Sequence, residues 1–577
     1  MSFKCKSYAM ACDGSNEERS FGATIAREFG LVPQVGEILY SRNIDTLEKA
    51  DEFLHPHLNM LPPPEQMKGM NEAVACIVEV CDHNQPIFIH GDYDVDGISA
   101  TALLVSFFQD LGKKQVYSYI PNRLQESYGL SIDSIDRLIA PAAGQGGVLI
   151  SVDCGISAVT EVAYARQQGL RVVITDHHEP PDILPGADAI LDPKQPGCNF
   201  PSDALSGVGV AFYLLMALRK AMGIRINLKQ YLDLVALGTV ADMVPLTGVN
   251  RILVRAGLEV LTATRRPGLV FLRSGSRLEK REIFTEDIAF KLAPRINAAG
   301  RLGQPEAGLA LLLASDMESG QIAANALEQM NSARKQLEMK ALAAIEAASD
   351  EQVQAGKNGL IVYQPHCHTG VLGILASRLV DRHQRPVLVF ADDCKQGAGE
   401  GIVRGSGRSI KGINLFQILA HCDQWIEQFG GHAMAVGLTI KRQNFEQFAA
   451  DFNQKVNLLT REVQAMEQIW IDYCLADASM LSTRLMQDIQ RMQPFGEGNL
   501  EPVFMLPAQQ LIAPKKKNGH LLFHLQGQGR VFPGIGFHLG RPQFDPTKSH
   551  DVLFRLKRSW FKGVERPQVQ ATMLIPS

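Results

Sequence analysis

The sequence predicts an α/β protein: a doubly wound parallel-sheet domain, a long connecting helix, a smaller α/β domain and a C-terminal β-barrel. Three observations lead to this prediction. The chain has 577 residues, and a single hydrophobic core rarely supports a chain of that length. In two parts of the chain, buried strand-like runs alternate with helical stretches, as in parallel sheets. The final part has only short strand-like runs separated by turns, which is typical of a small barrel.

Residues 1–45 have no clear periodicity, and we interpret them as an N-terminal extension. The first α/β domain is predicted over residues 46–314. Its apolar runs are continuous rather than alternating, which indicates strands that are covered on both faces. The strands are predicted at residues 86–90, 148–152 and 171–175, with a helix at 98–111 after the first of them.

The second half of the chain is predicted to contain three parts. Residues 315–350 form one long connecting helix or a helix pair, with Ser315 and Glu318 as its capping box. A smaller α/β domain follows over 351–460. Residues 461–577 contain the short strands of the predicted barrel.

Composition limits the classes of function. The net charge is −4, so a nucleic-acid surface would have to be a local patch. The ten cysteines include no C-x-x-C pair, and the N-terminus has no signal-peptide pattern, so we expect reduced thiols and a cytoplasmic location. The strongest apolar run, at 208–218, is too short to span a bilayer. We therefore expect no membrane insertion, and we expect a monomer.

Four polar groups follow the predicted strands or a buried helical stretch. The carboxyl ends of parallel strands meet at one edge of a sheet, where ligands bind. A single Asp-rich turn or a lone His pair is more often structural, but four such groups in this order favour a functional site. The groups are His90 with Asp94 and Asp96; Asp153; Asp176 with His177 and His178; and Asp242.

Carboxylates brought together at one edge would repel one another. Divalent cations remove that repulsion, and oxygen-rich sites with one or two imidazoles suit Mn²⁺ or Mg²⁺ better than Zn²⁺. Two such ions bridged by a carboxylate and a water can hydrolyse a phosphate ester. The sequence therefore predicts a site for two ions of Mn²⁺ or Mg²⁺.

The triplet Asp176-His177-His178 resembles the signature of the DHH phosphoesterase family, and the four groups match that family's first four motifs in order. The resemblance implies that His178 faces the scissile phosphate and that Asp176 orients the histidines. Cys154 stands where the family usually has Asn, which could alter a hydrogen bond. The resemblance also implies two ligand sets that share Asp153: His90, Asp94 and Asp153 for one ion, and Asp96, Asp153, His177 and Asp242 for the other.

Further segments resemble the exonuclease members of the DHH family. The resemblance implies that Arg301, Ser406 and Arg408 bind a 5′-terminal phosphate, and that His432 contacts substrate phosphate near the metals. The segment after Pro494 resembles the approach to an OB-type barrel, and the tail beyond it is locally basic. The full set of predicted substrate-binding residues is Arg295, Asn297, Arg301, His368, Ser377, Arg378, Ser406, Arg408, Gly430, Gly431 and His432.

The resulting hypothesis is an exonuclease that degrades single-stranded DNA from 5′ to 3′ in DNA repair and recombination. A single-stranded-DNA-binding protein and a helicase are candidate partners. One alternative is a different DHH hydrolase, acting on short oligonucleotides, cyclic dinucleotides or pyrophosphate; such relatives are usually shorter and lack the tail. Another is a catalytically silent scaffold that binds nucleic acid, which would require lost metal ligands, and the sequence retains them all.

Overall fold

The computed structural model describes residues 2–5, 16–126, 129–279, 281–392, 401–463, 468–527, 529–540, 544–561 and 564–577. They form two units. The larger unit comprises residues 62–244 and 248–465, and the smaller comprises 1–61, 245–247 and 466–577. Within the described ranges, no helix has both the length and the apolar character needed to cross a bilayer.

The first sheet of the larger unit is entirely parallel, as predicted. Helices cover both faces, so the doubly wound architecture is confirmed. The strands lie in the spatial order Val116–Tyr119, Ile87–Gly91, Val148–Val152, Arg171–Thr175 and Ala189–Leu191. Met70–Asp82, Val95–Asp110 and Gly207–Ala221 pack on one face, and Ile132–Ile139 and Val159–Gln167 pack on the other.

A group of helices follows this sheet in the chain. The helix Leu232–Ala241 is buried along its length and ends beside Asp242. A π-helical turn, Ile288–Leu292, runs directly into the helix Ala293–Arg301. The other helices of the group are Gly248–Thr262, Pro267–Gly275, Thr285–Asp287 and Glu306–Leu313.

One helix of 38 residues, Met317–Gln354, connects the two sheets of the larger unit. Its N-cap is Asp316, whose carboxylate accepts a hydrogen bond from the backbone N–H of Ser319 at 2.8 Å. The predicted capping box of Ser315 and Glu318 is wrong by one residue. The Ser315 hydroxyl bonds the Asp316 side chain instead, because the aspartate already accepts from the helix N–H.

The second sheet is mixed, and with its helices it confirms the smaller α/β domain. Along Ile402–Arg408, alternate residues are half-buried, and this face carries Ser406 and Arg408. The strand order is Ile426–His432, Ala435–Lys441, Ile402–Arg408, Val387–Asp392 and Leu360–Tyr363, with only the last pair parallel. The helices are Leu372–His383, Leu415–Ala420 and Phe445–Val463.

The smaller unit contains the C-terminal β-domain, for which the sequence predicted an OB-like β-barrel; its described strands form a sheet rather than a closed barrel. The end strand Tyr473–Cys474 is only two residues long and pairs only with its neighbour in the sheet. The order is Tyr473–Cys474, Phe504–Gln509, His550–Phe561, Val564–Pro576, Arg530–Gly536, His520–Gly527 and Ile512–Lys517. A separate two-stranded sheet pairs Ser2–Cys5 with Gln468–Ile471.

Helices complete the smaller unit. Ile25, Val35 and Ile38, from the region predicted as an N-terminal extension, lie in one core with Leu485 and Phe504. The helices are Asn16–Glu28, Pro33–Ser41, Leu47–Leu54 and Thr483–Arg491.

Candidate metal centre and phosphate-binding site

Two of the predicted metal ligands are bound to helix N-termini at the carboxyl edge of the parallel sheet. Asp94 caps the helix Val95–Asp110, and its Oδ1 accepts from the N–H groups of Asp96 and Gly97. Asp96 accepts from the N–H groups of Gly207 at 2.6 Å and Val208 at 3.0 Å, where the helix Gly207–Ala221 begins. Helix N-termini stabilise negative charge, so both carboxylates are held in place before any ligand binds.

Asp153 follows the strand Val148–Val152 with φ of +61°, a left-handed conformation that non-glycine residues rarely adopt. Its side chain packs on Gly207, where a Cβ atom would lie 2.6 Å from Asp153 Cβ and 2.7 Å from Oδ1. The helix can approach the carboxylate this closely only because residue 207 is glycine.

His177 lies between two of the carboxylates. Its Nε2 is 3.1 Å from Asp153 Oδ1 and 3.5 Å from Asp242 Oδ2. Potential ligand atoms converge within 4.8 Å of one another in three overlapping groups: Asp96, His177 and Asp242; Asp92, Asp94 and Asp153; and Asp153, His177 and His178. Five predicted ligands, namely Asp94, Asp96, Asp153, His177 and Asp242, are therefore brought together, and Asp153 belongs to two groups.

The sixth predicted ligand, His90, belongs to none of these groups. Its Nε2 lies 2.9 Å from Ser134 Oγ, and its Nδ1 lies 3.8 Å from the Cys154 thiol. Burial lowers the pKa of His90 to about 4, so the ring is neutral at physiological pH. Cys154 therefore contacts this histidine, and burial keeps the thiol protonated by raising its pKa.

Asp92, which the sequence prediction did not include, groups with Asp94 and Asp153, whereas His90 stays a predicted ligand. The Asp92 Oδ1 is buried and has no hydrogen-bond partner within the described part of the chain. The motif spacing of the family predicts metal ligands at residues 90, 94 and 96, and it does not include residue 92. Asp92 could have been found from its position as the first residue after the strand Ile87–Gly91.

The electrostatics of the cluster fit divalent cations. Burial, followed by the charge of Asp94, raises the pKa of Asp96 to about 7. Burial, followed by the charges of Asp96 and Asp94, raises the pKa of Asp242 to about 9. The pKa values of Asp92 and Asp153 are also raised, mainly by burial. Cations would relieve this repulsion, and the carboxylate and imidazole donors suit Mn²⁺ or Mg²⁺.

His178 is oriented by Asp176. The carboxylate Oδ1 accepts from His178 Nδ1 at 2.7 Å and from the His177 N–H at 2.8 Å, and Oδ2 accepts from the Ile156 N–H. Burial disfavours the charged imidazole, but the hydrogen bond to Asp176 and the charges of Asp176, Asp242 and Asp92 together outweigh burial and raise the pKa of His178 to about 9. The ring lies nearly parallel to that of His432, with 6.4 Å between centroids and 7° between planes. Residues of both α/β domains thus meet beside the metal groups.

A second, cationic cluster lies at the start of the helix Leu372–His383. A Cβ atom on Gly373 would lie 3.1 Å from Arg408 Nη2 and 3.2 Å from Ser406 Oγ. Arg301 reaches the same turn, where its Nη1 donates to the Gly370 carbonyl at 3.3 Å. Burial, followed by the charges of Arg123, Arg408 and Arg334, lowers the pKa of Arg301 to about 9. Clustered guanidiniums at a helix N-terminus have the charge and donors that suit an anion.

Two cationic residues of this region were not singled out from the sequence. Arg123 Cζ lies 5.2 Å from the ring centroid of Tyr93, and its charge also lowers the pKa of Arg408. Lys194 lies after the strand Ala189–Leu191, and its charge offsets part of the rise in the pKa of Asp242 that burial and the neighbouring aspartates cause. Both follow edge strands of the parallel sheet, at the same carboxyl edge as the aspartates, and this position was the signal available in the sequence.

Two predicted substrate-binding arginines are engaged in ion pairs with the long helix. Arg295 Nε lies 2.5 Å from Glu328 Oε2. Arg378 pairs with the buried Glu338, which also binds Arg334 at 3.1 Å. Their contact with substrate stays a prediction.

The remaining predicted residues surround the two clusters. His368 Nδ1 accepts from the Gly370 N–H at 3.1 Å, and the Ser377 hydroxyl donates to the Gly373 carbonyl at 3.0 Å. Asn297 is half-buried on the helix that carries Arg301. Gly430 and Gly431 precede His432 on one strand, and Gly431 has φ of +130°, which favours glycine.

Family models match three parts of the chain. A model described as the DHH family, N-terminal domain, matches residues 86–239, and the DHHA1 domain matches 356–458. The RecJ OB domain matches 471–572. The C-terminal β-domain is therefore of the OB type.

Curated relatives are similar over nearly the whole chain. The single-stranded-DNA-specific exonuclease RecJ of Haemophilus influenzae is 36% identical over 569 residues, which covers 94% of this chain and 96% of the relative. The protein of the same name from Escherichia coli K12 is 35% identical and covers 93% and 95%. Such identity over full length is far above what a shared fold alone requires.

Solved structures are similar as well. RecJ from Thermus thermophilus in complex with Mn²⁺ has a TM-score of 0.82 at 28% identity, covering 97% of this chain and 78% of that one. Its complex with Mg²⁺ has a TM-score of 0.77 at 27% identity, covering 97% and 77%. These ions are the two that the donor set favours here.

Proposed function

We propose, because this chain belongs to the RecJ family of single-stranded-DNA-specific exonucleases, that it hydrolyses single-stranded DNA from the 5′ end with two ions of Mn²⁺ or Mg²⁺. One observation carries the proposal: the ring of His432 stacks on that of His178 beside the converging carboxylates. The metal groups and His432 of the second α/β domain would therefore contact the same scissile phosphate.

The aspartates and His177 would hold the ions, with Asp153 shared between them. Asp92 or His90 would complete the first ligand set, and Asp92 has the better geometry. When bound, the ions supply an activated water and neutralise charge on the phosphate. His178, held by Asp176 through Nδ1, directs its other nitrogen toward the substrate and can donate a proton or a hydrogen bond to a phosphate oxygen.

The cationic cluster would determine that digestion starts at the 5′ end. Arg301, Ser406 and Arg408 offer guanidinium and hydroxyl donors for a terminal phosphate, and Arg123 adds a fourth group. A terminal phosphate carries more negative charge than an internal phosphodiester, so this cluster favours a 5′-phosphorylated end.

The OB-type domain would bind the strand beyond the active site. Lys515 and Lys517 lie opposite Leu522 and His520 in the sheet, and opposed residues share a face. Basic groups beside apolar and aromatic side chains are suited to single-stranded DNA. A single-stranded-DNA-binding protein and a helicase, a monomeric state and a cytoplasmic location stay predictions, as do the domain boundaries drawn from the sequence.

The test is digestion of single-stranded oligonucleotides labelled at the 5′ or the 3′ end, with Mn²⁺ or Mg²⁺. We expect release from the 5′ end, no digestion of blunt duplex, and loss of activity in Asp153→Ala. Asp203→Ala, which changes an exposed aspartate, is the matched control and should retain activity. Attack from the 3′ end, or faster turnover of two- to five-nucleotide RNA than of long DNA, would overturn the proposal.

A further inference from the structure

The segment after the edge strand Val116–Tyr119 brings Arg123 to the cationic cluster, and one side chain ties that segment to Arg301. The Asn122 Oδ1 accepts from the Leu124 N–H at 3.0 Å, which folds the chain around Arg123. The Asn122 Nδ2 donates to the Gly303 carbonyl at 2.8 Å. Gly303 lies two residues after Arg301, just beyond the end of the helix Ala293–Arg301.

The contact between the two segments is close. Gly303 has φ of +76°, and a Cβ atom there would lie 3.1 Å from Leu124 Cδ1 and 3.4 Å from Asn122 Oδ1. A Cβ atom on Gly300 would likewise lie 3.0 Å from the carbonyl oxygen of Tyr93. Since the Tyr93 ring lies under Arg123, both arginines are bound to the same scaffold.

Glu126 closes the other end of the segment. Its carboxylate accepts from the Asn122 N–H and from the Tyr119 hydroxyl, each at 3.0 Å. The Tyr119 hydroxyl in turn accepts from Arg137 Nη1 at 3.2 Å. Residues 119–126 therefore form a hydrogen-bonded loop that places the Arg123 side chain over the Tyr93 ring.

We propose that Asn122 is a positioning residue that fixes Arg123 relative to Arg301, so that both guanidiniums face one 5′-terminal phosphate. The proposal rests on the proposed function, since it requires that this cluster binds the 5′ end. Like charges repel, so two guanidiniums separate unless their backbones are tied together. A carboxamide can accept from Leu124 and donate to Gly303 at once, whereas Asp retains only the acceptor and Ala retains neither.

The experiment compares full-length variants with Mn²⁺ on a 5′-phosphorylated oligonucleotide and its 5′-hydroxyl counterpart. We expect Asn122→Ala to lower kcat/KM on the phosphorylated substrate about tenfold, through KM, because two hydrogen bonds are lost. The 5′-hydroxyl substrate should change less than about twofold, since it lacks the group that the arginines bind. Gln125→Ala, an exposed neighbour on the same segment, is the matched control and should behave as wild type.

A double-mutant cycle separates positioning from a direct role. If Asn122 acts through Arg123, the double variant Asn122→Ala/Arg123→Ala should lose no more than Arg123→Ala alone. Additive losses, or equal losses on the two substrates, would overturn the inference. If Asn122→Ala does not fold, as judged by circular dichroism, Asn122→Asp decides the same question because it keeps the turn around Arg123.

Arg408→Ala distinguishes failure of this inference from failure of the proposed function. A loss of 5′-phosphate preference in Arg408→Ala, with none in Asn122→Ala, overturns only the role of Asn122. An unchanged preference in Arg408→Ala overturns the assignment of the cluster itself.

Discussion

Gly207 is the residue on which the position of Asp153 depends. A Cβ atom there would lie 2.6 Å from Asp153 Cβ and 2.7 Å from its Oδ1, and the same residue's N–H binds Asp96. We predict that Gly207→Ala lowers Mn²⁺ affinity at least tenfold, because two ligands are displaced at once. Isothermal titration with Mn²⁺ measures the affinity.

The control for this substitution lies on the same helix. A Cβ atom on Gly209 would lie 3.3 Å from the Ser206 hydroxyl, so a shift of a few tenths of an ångström accommodates it. Gly209→Ala should therefore bind Mn²⁺ normally. Normal affinity in Gly207→Ala would show that Asp153 is not held as described.

The raised pKa values of Asp96 and Asp242 predict how the stability of the metal-free protein depends on pH. An unfolded aspartate loses its proton near pH 3.8, whereas these two hold theirs to about pH 7 and about pH 9. Between those limits the folded protein binds more protons, so its free energy of unfolding decreases as pH rises. We expect the metal-free Tm to decrease from pH 5 to pH 9.

Mn²⁺ should largely remove that dependence, because it replaces the protons and neutralises the carboxylates. Thermal melts with and without Mn²⁺ across this pH range test the prediction. A metal-free Tm that increases with pH would contradict the described burial. Asp242→Asn should reduce the slope, since one of the titrating groups is removed.

Most of the site could be predicted at the level of single residues, because its aspartates follow apolar strands that are easy to recognise. Asp92, Arg123 and Lys194 were missed for a physical reason. Each is ordinary in a linear sequence, and its position near the carboxylates or the cationic cluster becomes apparent only when the strands align their carboxyl ends. His90 matches a motif spacing and lies 2.9 Å from Ser134 Oγ in the fold, so its role as a ligand stays a prediction.

At the scale of the element, the parallel strands were predictable because their burial on both faces leaves continuous apolar runs. The open form of the C-terminal sheet was not, since barrel closure depends on pairing between distant strands. The long helix shows an intermediate case: its existence was clear, but its start was misplaced by one residue, because Ser315 and Asp316 are both good N-caps.

The N-cap of the long helix gives a prediction at this scale. Asp316→Ala should lower the free energy of unfolding by about 1 kcal/mol, because the Ser319 N–H loses its acceptor. Chemical denaturation measures the difference. Ser315→Ala is the control and should change it by less than about 0.5 kcal/mol. If Ser315→Ala proves the more damaging, the cap lies at residue 315 after all.

At the scale of the molecule, the larger unit contains two α/β domains, and both contribute side chains that are suited to binding phosphate groups. The first supplies the carboxylates, Arg123 and Arg301, the second supplies Ser406 and Arg408, and the rings of His178 and His432 stack between them. The cationic cluster is complete only when Arg123 and Arg301 of the first domain meet Ser406 and Arg408 of the second, and the helix Met317–Gln354 connects the two domains.

The smaller unit depends on residues far apart in the chain, and this gives the last prediction. The Val32 N–H donates to Asp488 at 2.8 Å, and Arg42 pairs with Asp472 at 3.0 Å. Ile38, fully buried, lies in the same core as Leu485. Each large apolar side chain that leaves such a core costs about 1.5–3 kcal/mol, so losing several exceeds the roughly 5–15 kcal/mol that stabilises a typical domain.

We therefore expect removal of residues 1–45 to unfold the C-terminal OB-type domain while the larger unit keeps its own cores. Limited proteolysis should cut the truncated protein after residue 465 and leave a resistant fragment that still binds Mn²⁺. Ile38→Ala offers a milder test, with an expected cost of about 2–5 kcal/mol in the smaller unit only. If the truncated protein resists proteolysis throughout, residues 1–45 are a dispensable extension. That outcome would mean that the C-terminal sheet is stable without the helices Asn16–Glu28 and Pro33–Ser41.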